Sequence, residues 1–498
     1  MKSNHRQGTY SGMAAMLLTM LVAIIMFMFA GAVVRAQSQT FTLLYSFQGT
    51  ASNYGAYPLG LVQGTDGNLY GVTGAGGNDF DSGVFFKIST SGNEKLICYF
   101  YDPGACRDLQ APSANLILGT NGNFYGVALD SEVFSLSKAA KLKVLYTYAN
   151  GANSQAPLVL ASNGDFYGVT KNGGVNNNCY GTCGSVFKMT ASGKLTTLYS
   201  FCSVFQNGIC LDGAEPEFAL VQGGDGNLYG TTSVGGNDGV NDGYGTIFKI
   251  TAAGALTTIY NFPGFTQSSS ALVEGADGNF YGTTADGGSG TYGAGGTFFS
   301  VTSGGDLTTL YNFCNQQNCA DGEQPANIYL ATDGNFYGIT WFGGVGNNNQ
   351  GTIFQITPGG TLTTLHNFDG TDGSGPNGGG TLMQDTNGTF YGTMQEGGIS
   401  WPCDSIVCVG TIFSLDTGLG PFVKTLPTSG KVKAAVKILG TDLTGATSVT
   451  FNGTAATFKV VSSSEITTNV PIGATSGVVQ VVTSGGTTLT SNAVFQVP

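Results

Sequence analysis

The sequence predicts an all-β chain: a seven-bladed β-propeller over 37–416, closed by a strand from its own N-terminal end, then an immunoglobulin-like β-sandwich over 427–498. Three observations carry that prediction. The string Asp/Asn-Gly-x-Leu/Phe-Tyr-Gly occurs seven times, starting at Asp66, Asn121, Asn163, Asp225, Asp277, Asp333 and Asn387. Its mean spacing of about 54 residues is that of propeller blades. The strand expected to end each unit stands before the first unit and is missing after the last. Finally, 80 Gly among 498 residues, set in Thr-, Tyr-, Phe- and Val-rich runs, suit many short strands joined by tight turns.

The elements follow in order within each unit. A short apolar segment such as Leu61-Val62-Gln63 or Leu272-Val273-Glu274 precedes the motif and reads as the first strand. The Asp-Gly or Asn-Gly that follows tolerates positive φ, the strongest short hairpin signal, so first and second strands form a hairpin. Gly-Gly follows the second strand in six of seven copies. The third strand, of the type Gly-Thr-Ile-Phe-Lys-Ile-Thr, recurs at 83–89, 131–137, 184–190, 245–251, 296–302, 351–357 and 410–416. Fourth strands lie at 41–47, 96–100, 142–148, 195–201, 256–262, 307–313 and 362–368. The segment 41–47 thus supplies what the final unit lacks, an offset that closes a ring and leaves no edge strand unpaired.

Read in full, Asp-Gly-x-x-Pro, Leu-Val-x-Gly-x-Asp-Gly-Asn-Leu-Tyr-Gly-Thr-Thr, Gly-Gly and Gly-Thr-Ile-Phe-Lys-Ile-Thr resemble the bacterial GloVer (Gloeo_Verruco-type) tandem repeat, over about 41–416. The copy at 212–262 matches nearly throughout, and the second copy, with Val127-Ala128-Leu129-Asp130, departs most. The resemblance implies exported bacterial proteins and brings no residue-level activity. Residues 417–426 read as a linker. Beyond it, Pro427-Thr428-Ser429-Gly430, Leu439-Gly440-Thr441-Asp442-Leu443, Phe451-Asn452-Gly453 and Val470-Pro471 resemble an IPT/TIG domain, which implies a spacer or binding module.

Lys2 and Arg6 precede an uncharged run from Met13 to Val34, and Val34-Arg35-Ala36 places small residues where a signal peptidase reads. Residues 1–36 are therefore expected to be a signal peptide, placing the protein in the extracellular space or cell envelope. An uncleaved leader, long enough to span a bilayer, is the alternative and the sole expected membrane attachment. The formal net charge of −12 argues against nucleic-acid partners, which require clustered cations. All ten cysteines fall in close pairs: Cys98 with Cys106, Cys179 with Cys183, Cys202 with Cys210, Cys314 with Cys319, and Cys403 with Cys408. Local disulfides in an exported chain are expected, worth roughly 2–2.6 kcal/mol each on loop entropy. A zinc site, which needs four converging ligands, is the rival, and no metal or cofactor is expected.

Residues repeated in every unit serve architecture, so function is sought where units differ. Second-to-third and fourth-to-first connections emerge on one face and are long, variable and cysteine-bearing; such loops on a rigid scaffold carry binding. There Trp341-Phe342 replaces Gly74-Ala75, Lys171-Asn172, Ser233-Val234, Ala285-Asp286 and Gln395-Glu396 of other units. The candidate binding residues are Trp341, Phe342, Trp401, Asp286, Lys171 and Glu396. Aromatics there suit sugar stacking or protein contact, or else burial under a neighbouring loop. Loop carboxylates at Asp212, Glu215, Glu217, Asp321, Glu323, Asp369 and Asp372 suit three roles: glycoside acid–base chemistry, calcium ligation, or plain turn formation. His366 stands where other units carry a fourth-strand Tyr, which points to packing. Gln63, Leu118, Leu160, Gln222, Glu274, Leu330 and Gln384 share one first-strand position and suit either a mixed ring lining a small-molecule channel or a plugged, water-filled core. No nucleophile elbow, phosphate loop or dinucleotide fingerprint stands in its required context. The reading is a monomeric recognition or adhesion protein for glycan or envelope protein; the alternative is a carbohydrate-active propeller enzyme.

Overall fold

The computed structural model describes residues 39–498 apart from short loop segments, among them 49–54, 238–242 and 399–408. The expected leader lies outside the described residues, and so do Trp401, Cys403 and Cys408. No helix among the described residues is long and apolar enough to cross a membrane.

Each repeat folds into one antiparallel four-stranded sheet in chain order. In the third, Val159–Leu160, Phe166–Thr170, Ser185–Met189 and Leu195–Ser200 pair successively. Seven such sheets, arranged as a propeller-like array, are present among the described residues. The seventh combines Gly380–Gln384, Phe390–Met394 and Thr411–Asp416 with Thr40–Ser46 from the start of the chain. That strand runs antiparallel, with Thr40 opposite Asp416 and Ser46 opposite Thr411. Second strands such as Phe166–Thr170 are buried at every position, while outer strands such as Leu195–Ser200 are only partly covered. This gradient follows from stacking sheets face to face: inner strands have neighbours on both faces.

The seven-fold motif is a packing device. Its Tyr ring lies on the second-strand aromatic of the next sheet: Tyr70 on Phe124 (4.6 Å between centroids), Tyr125 on Phe166 (4.2 Å), Tyr229 on Phe280 (3.9 Å), Tyr281 on Phe336 (4.4 Å) and Tyr337 on Phe390 (4.3 Å). Where the neighbour is Leu, Tyr167 shares a core with Leu228, and Tyr391 of the last sheet shares one with Leu69 of the first. The motif's Asp or Asn holds each hydroxyl. Tyr281 donates to Asp277 at 3.0 Å, and Asn387 donates to the Tyr391 oxygen at 3.0 Å. The closing Gly makes room for the third-strand Phe. A Cβ on Gly282 would stand 2.6 Å from Phe299 Cζ.

The C-terminal part forms two further four-stranded sheets, packed face to face around Val436, Ile438, Val449, Phe451, Ile466, Val481 and Phe495. Lys424–Leu426, within the stretch expected as a linker, is an edge strand of this sandwich, pairing with Ala435–Leu439. Phe422 and Val423 are buried beside it, so apolar burial extends into the segment read as a linker. The sandwich seats on the first-hairpin turns. Ser464 Oγ donates to Thr65 O (2.9 Å), Ser429 Oγ to Ser162 O (2.8 Å) and Lys424 Nζ to Gln384 O (2.6 Å).

Gly282→Ala is expected to cost about 1–3 kcal/mol through overpacking against Phe299, read as a lower denaturant midpoint at unchanged slope. Alkaline stability gives a second test. Burial, reinforced by the Asp277 carboxylate, pushes the Tyr281 hydroxyl up to about 12, and burial with Asp212 does the same to Tyr199. The folded state keeps protons that the unfolded state releases near pH 10, so stability falls as pH rises from about 10 to 12. Tyrosinate absorbance in that range should therefore appear together with loss of the folded circular-dichroism signal.

Candidate functional site

The long connections of six repeats surround a cavity of about 670 Å³ on the face opposite the sandwich. Leu59, Pro112, Phe218 and Trp341 give it apolar walls, and Gln155, Glu217, Asp286 and Gln324 supply polar groups. Antiparallel pairing dictates this composition: second strands end and first strands begin on the same face, so their connecting loops meet around the axis.

Trp341 and Phe342 end the strand Phe336–Phe342, and successive strand side chains point to opposite faces. Trp341 accordingly lines the cavity, whereas Phe342 does not and sits opposite Glu323 in the ladder. The Trp341 indole Nε1 is buried and has no hydrogen-bond partner among the described residues. Asp286, also at the wall, is exposed, and its carboxylate carries no hydrogen bond or ion pair among the described residues. Lys171 is half-buried and grips Glu217 at 2.5 Å, with Glu215 at 4.0 Å. That hydrogen bond to Glu217 holds the Lys171 ammonium above its ordinary range, so it acts as a fixed brace behind the wall. Glu396 lies away from the cavity, where its backbone carbonyl accepts from Ser374 N at 3.0 Å. The structure thus brings Trp341, Asp286 and, through Glu217, Lys171 to one cavity, and leaves Phe342 and Glu396 outside it. Trp401, the remaining candidate, lies outside the described residues. Phe218, Gln155 and Gln324, unremarked in the sequence, complete the wall.

Asp321, Asp212 and Asp372 among the other loop carboxylates are structural. Asp321 is fully buried and accepts from Tyr311 OH (2.7 Å) and the backbone N–H groups of Asn315 and Gln316 (both 3.0 Å). Asp212 does the same for Tyr199 OH (2.6 Å), Ser203 N (2.9 Å) and Val204 N (3.1 Å). In the sixth repeat His366 takes the tyrosine's place: its Nε2 lies 2.7 Å from Asp372 and its ring stacks on Phe41 at 3.7 Å. These groups tie each loop to its outer strand, and their lone pairs are consumed there. The first-strand ring is likewise occupied. Gln222 accepts from Ser162 N (2.7 Å), Glu274 from Gly224 N (2.8 Å), Gln384 from Thr332 N (3.1 Å), and Gln63 donates to Thr386 (2.7 Å). Each latches its sheet to the preceding one.

Four disulfides brace the loops: Cys98–Cys106, Cys179–Cys183, Cys202–Cys210 and Cys314–Cys319. The fifth expected disulfide, between Cys403 and Cys408, is not among them, because Cys403 and Cys408 both lie outside the described residues. A second cavity, of about 740 Å³, lies between the hairpin turns and the sandwich, bordered by Asn163, Leu426, Phe458 and Lys459. None of the candidate binding residues described reaches it.

A repeat array of propeller-like sheets with an immunoglobulin-like module, open at one loop-built cavity, defines a class of proteins suited to recognition at surfaces. Within that class, the chain belongs to the Gloeobacter/Verrucomicrobia repeat family, whose sequence model matches residues 105–293, 203–403 and 267–440. Residues 422–497 match the IPT/TIG domain. No curated protein matches the chain in sequence. Among solved structures it is similar to a streptogramin B lyase (16% identity, TM-score 0.47, covering 77% of this chain and 99% of that one). It is also similar to the extracellular domain of a protein assigned as a hybrid two-component system of B. thetaiotaomicron (12% identity, TM-score 0.45, covering 89% and 53%).

Asp321→Ala should lower stability by about 1–3 kcal/mol, because one tyrosine hydroxyl and two N–H groups lose their acceptor. Chemical denaturation, with limited proteolysis of the 314–322 loop, checks this.

Proposed function

We propose that this chain is an exported surface or extracellular recognition protein that binds glycans in the loop-face cavity. In this reading the seven sheets are the blades of one closed ring over 37–416, sealed by the strand Thr40–Ser46, and the sandwich is a separate module on its opposite face. The observation that carries it is the wall itself: one indole and one phenyl ring beside amide and carboxylate groups. Sugars present apolar C–H faces to aromatic rings and hydroxyls to such polar groups. Asp286 and Gln324 are free to accept or donate, while Lys171 and Glu217 neutralise each other and stiffen the wall. An envelope protein docking on the same loops is the other partner this surface suits. The four disulfides and the IPT/TIG module fit a place outside the cytoplasm.

A glycan array followed by titration calorimetry on residues 37–498 tests the reading. Trp341→Ala is expected to weaken the best glycan about 30-fold, the size of a buried aromatic hot spot of about 2 kcal/mol. Phe342→Ala, outside the cavity, should change affinity less than about twofold. Equal losses at both positions, or no glycan bound by a folded protein, would overturn it.

A further inference from the structure

The third repeat is the place where two cysteine pairs meet. Cys179 and Cys183 belong to its second-to-third connection, and Cys202 and Cys210 to the connection leading to the next sheet. All four Sγ atoms lie within 4.8 Å of one another, and Cys179 Sγ stands 3.8 Å from Cys210 Sγ, across the two disulfides. A zinc ion bound by four thiolates at about 2.3 Å sets sulfurs about 3.8 Å apart, so the Cys179–Cys210 separation already matches that spacing and the two bonded pairs need only part to it once reduced. The remaining described pairs supply two sulfurs apiece: Cys98–Cys106 and Cys314–Cys319 each stand in a loop of their own.

The backbone that carries the cluster is held independently of the sulfurs. Glu215 N donates to Cys183 O (2.9 Å), Gly213 N and Gly236 N to Cys210 O (3.0 and 2.9 Å), and Cys202 N to Gly213 O (3.3 Å). Cys183, Cys202 and Cys210 are buried with Ala214, Phe201 and Val186, a water-poor setting in which four free thiolates are strongly disfavoured and a zinc ion offsets two of their four charges.

We propose that Cys179, Cys183, Cys202 and Cys210 form a redox-gated site for one zinc ion. In the oxidised protein the four sulfurs are spent in two disulfides. Two equivalents of a dithiol reductant open them by exchange, passing four electrons and leaving four thiols while each dithiol becomes a disulfide. Zinc then replaces the four thiol protons, forming four Zn–S bonds and releasing four protons to solvent. Oxidation by a disulfide of the same class reverses the sequence and expels the metal.

The test uses residues 37–498, reduced with a phosphine under anaerobic conditions and titrated with cobalt(II). The expected result is one cobalt per chain with the intense visible bands of tetrahedral thiolate coordination, displaced by one equivalent of zinc. Oxidised protein should show none. Replacing the other six cysteines by Ser should leave the spectrum intact, whereas Cys183→Ser with Cys210→Ser should weaken binding at least about 100-fold. Three outcomes overturn the proposal: reduced protein that stays folded and binds no cobalt, reduced protein that unfolds despite zinc, or a cobalt spectrum insensitive to the double variant.

Discussion

The contact on which the rest of this structure depends is a tyrosine ring laid on the aromatic or leucine of the next sheet. All seven motif tyrosines are between 0% and 3% exposed, so every junction between neighbouring sheets holds one fully buried ring. Burial alone would leave seven hydroxyls stranded in apolar surroundings, a loss of about 1–3 kcal/mol each. The Asp or Asn four residues earlier prevents that by holding the hydroxyl at the turn, as Asp66 does for Tyr70 at 2.9 Å and Asn163 for Tyr167 at 2.9 Å. One short string therefore makes the turn, anchors the ring that joins two sheets, and clears space for the third-strand Phe.

Because the sheets are joined near the hairpin turns, the loops at the other end are relieved of holding the array together. They are nonetheless stiff. Asp212, Asp321 and Asp372 each draw a loop back onto the outer strand of its own sheet, and disulfides close several of the same loops. A cavity with such walls meets a ligand in a largely preformed shape, which reduces the ordering cost of binding. The single repeat that places an indole at the wall does so without altering its strand register, since Tyr337 still pairs with Gln355 as Tyr167 pairs with Lys188.

Strand order, hairpins and the strand supplied from residues 40–46 were legible in the sequence because each rests on local chemistry: alternation, Asp-Gly turns and a count of fourth strands. The role of Trp341 against Phe342 was not, because adjacent residues differ only in which face of the ladder they take. The carboxylates were legible as turn residues but not in their partners. Asp-Gly recurs at one place in three repeats, each with a hydrogen-bonding ring, Tyr199, Tyr311 or His366, in the preceding strand. That pairing was available as a signal. What hid it was the ordinary reading of Asp-Gly as a turn, which explains the residue without reference to a partner several positions away. Phe218 and Gln155 carry no sequence mark at all; only the convergence of six loops gives them a common neighbour.

The sandwich seats on an array of similar turns, so something must distinguish one of the seven from the rest. The position after the first-strand ring is Gly64, Gly119, Ala161, Gly223, Gly275 and Ala331 in six repeats, and Asp385 in the seventh. Asp385 is 2% exposed, and its Oδ1 has no hydrogen-bond partner. Burial raises its carboxyl above the ordinary range, and the charge of Lys424 opposes that rise. Lys424 itself enters from the first strand of the sandwich and donates to the neighbouring Gln384 carbonyl. Burying a carboxylate costs less with a cation near it, so the approach of Lys424 eases the covering of the seventh turn. The remaining junction contacts are neutral Ser and Thr hydrogen bonds, which any of several turns can offer. The approach of Lys424 to Asp385 therefore sets the seventh turn apart from the other six in what it offers the sandwich.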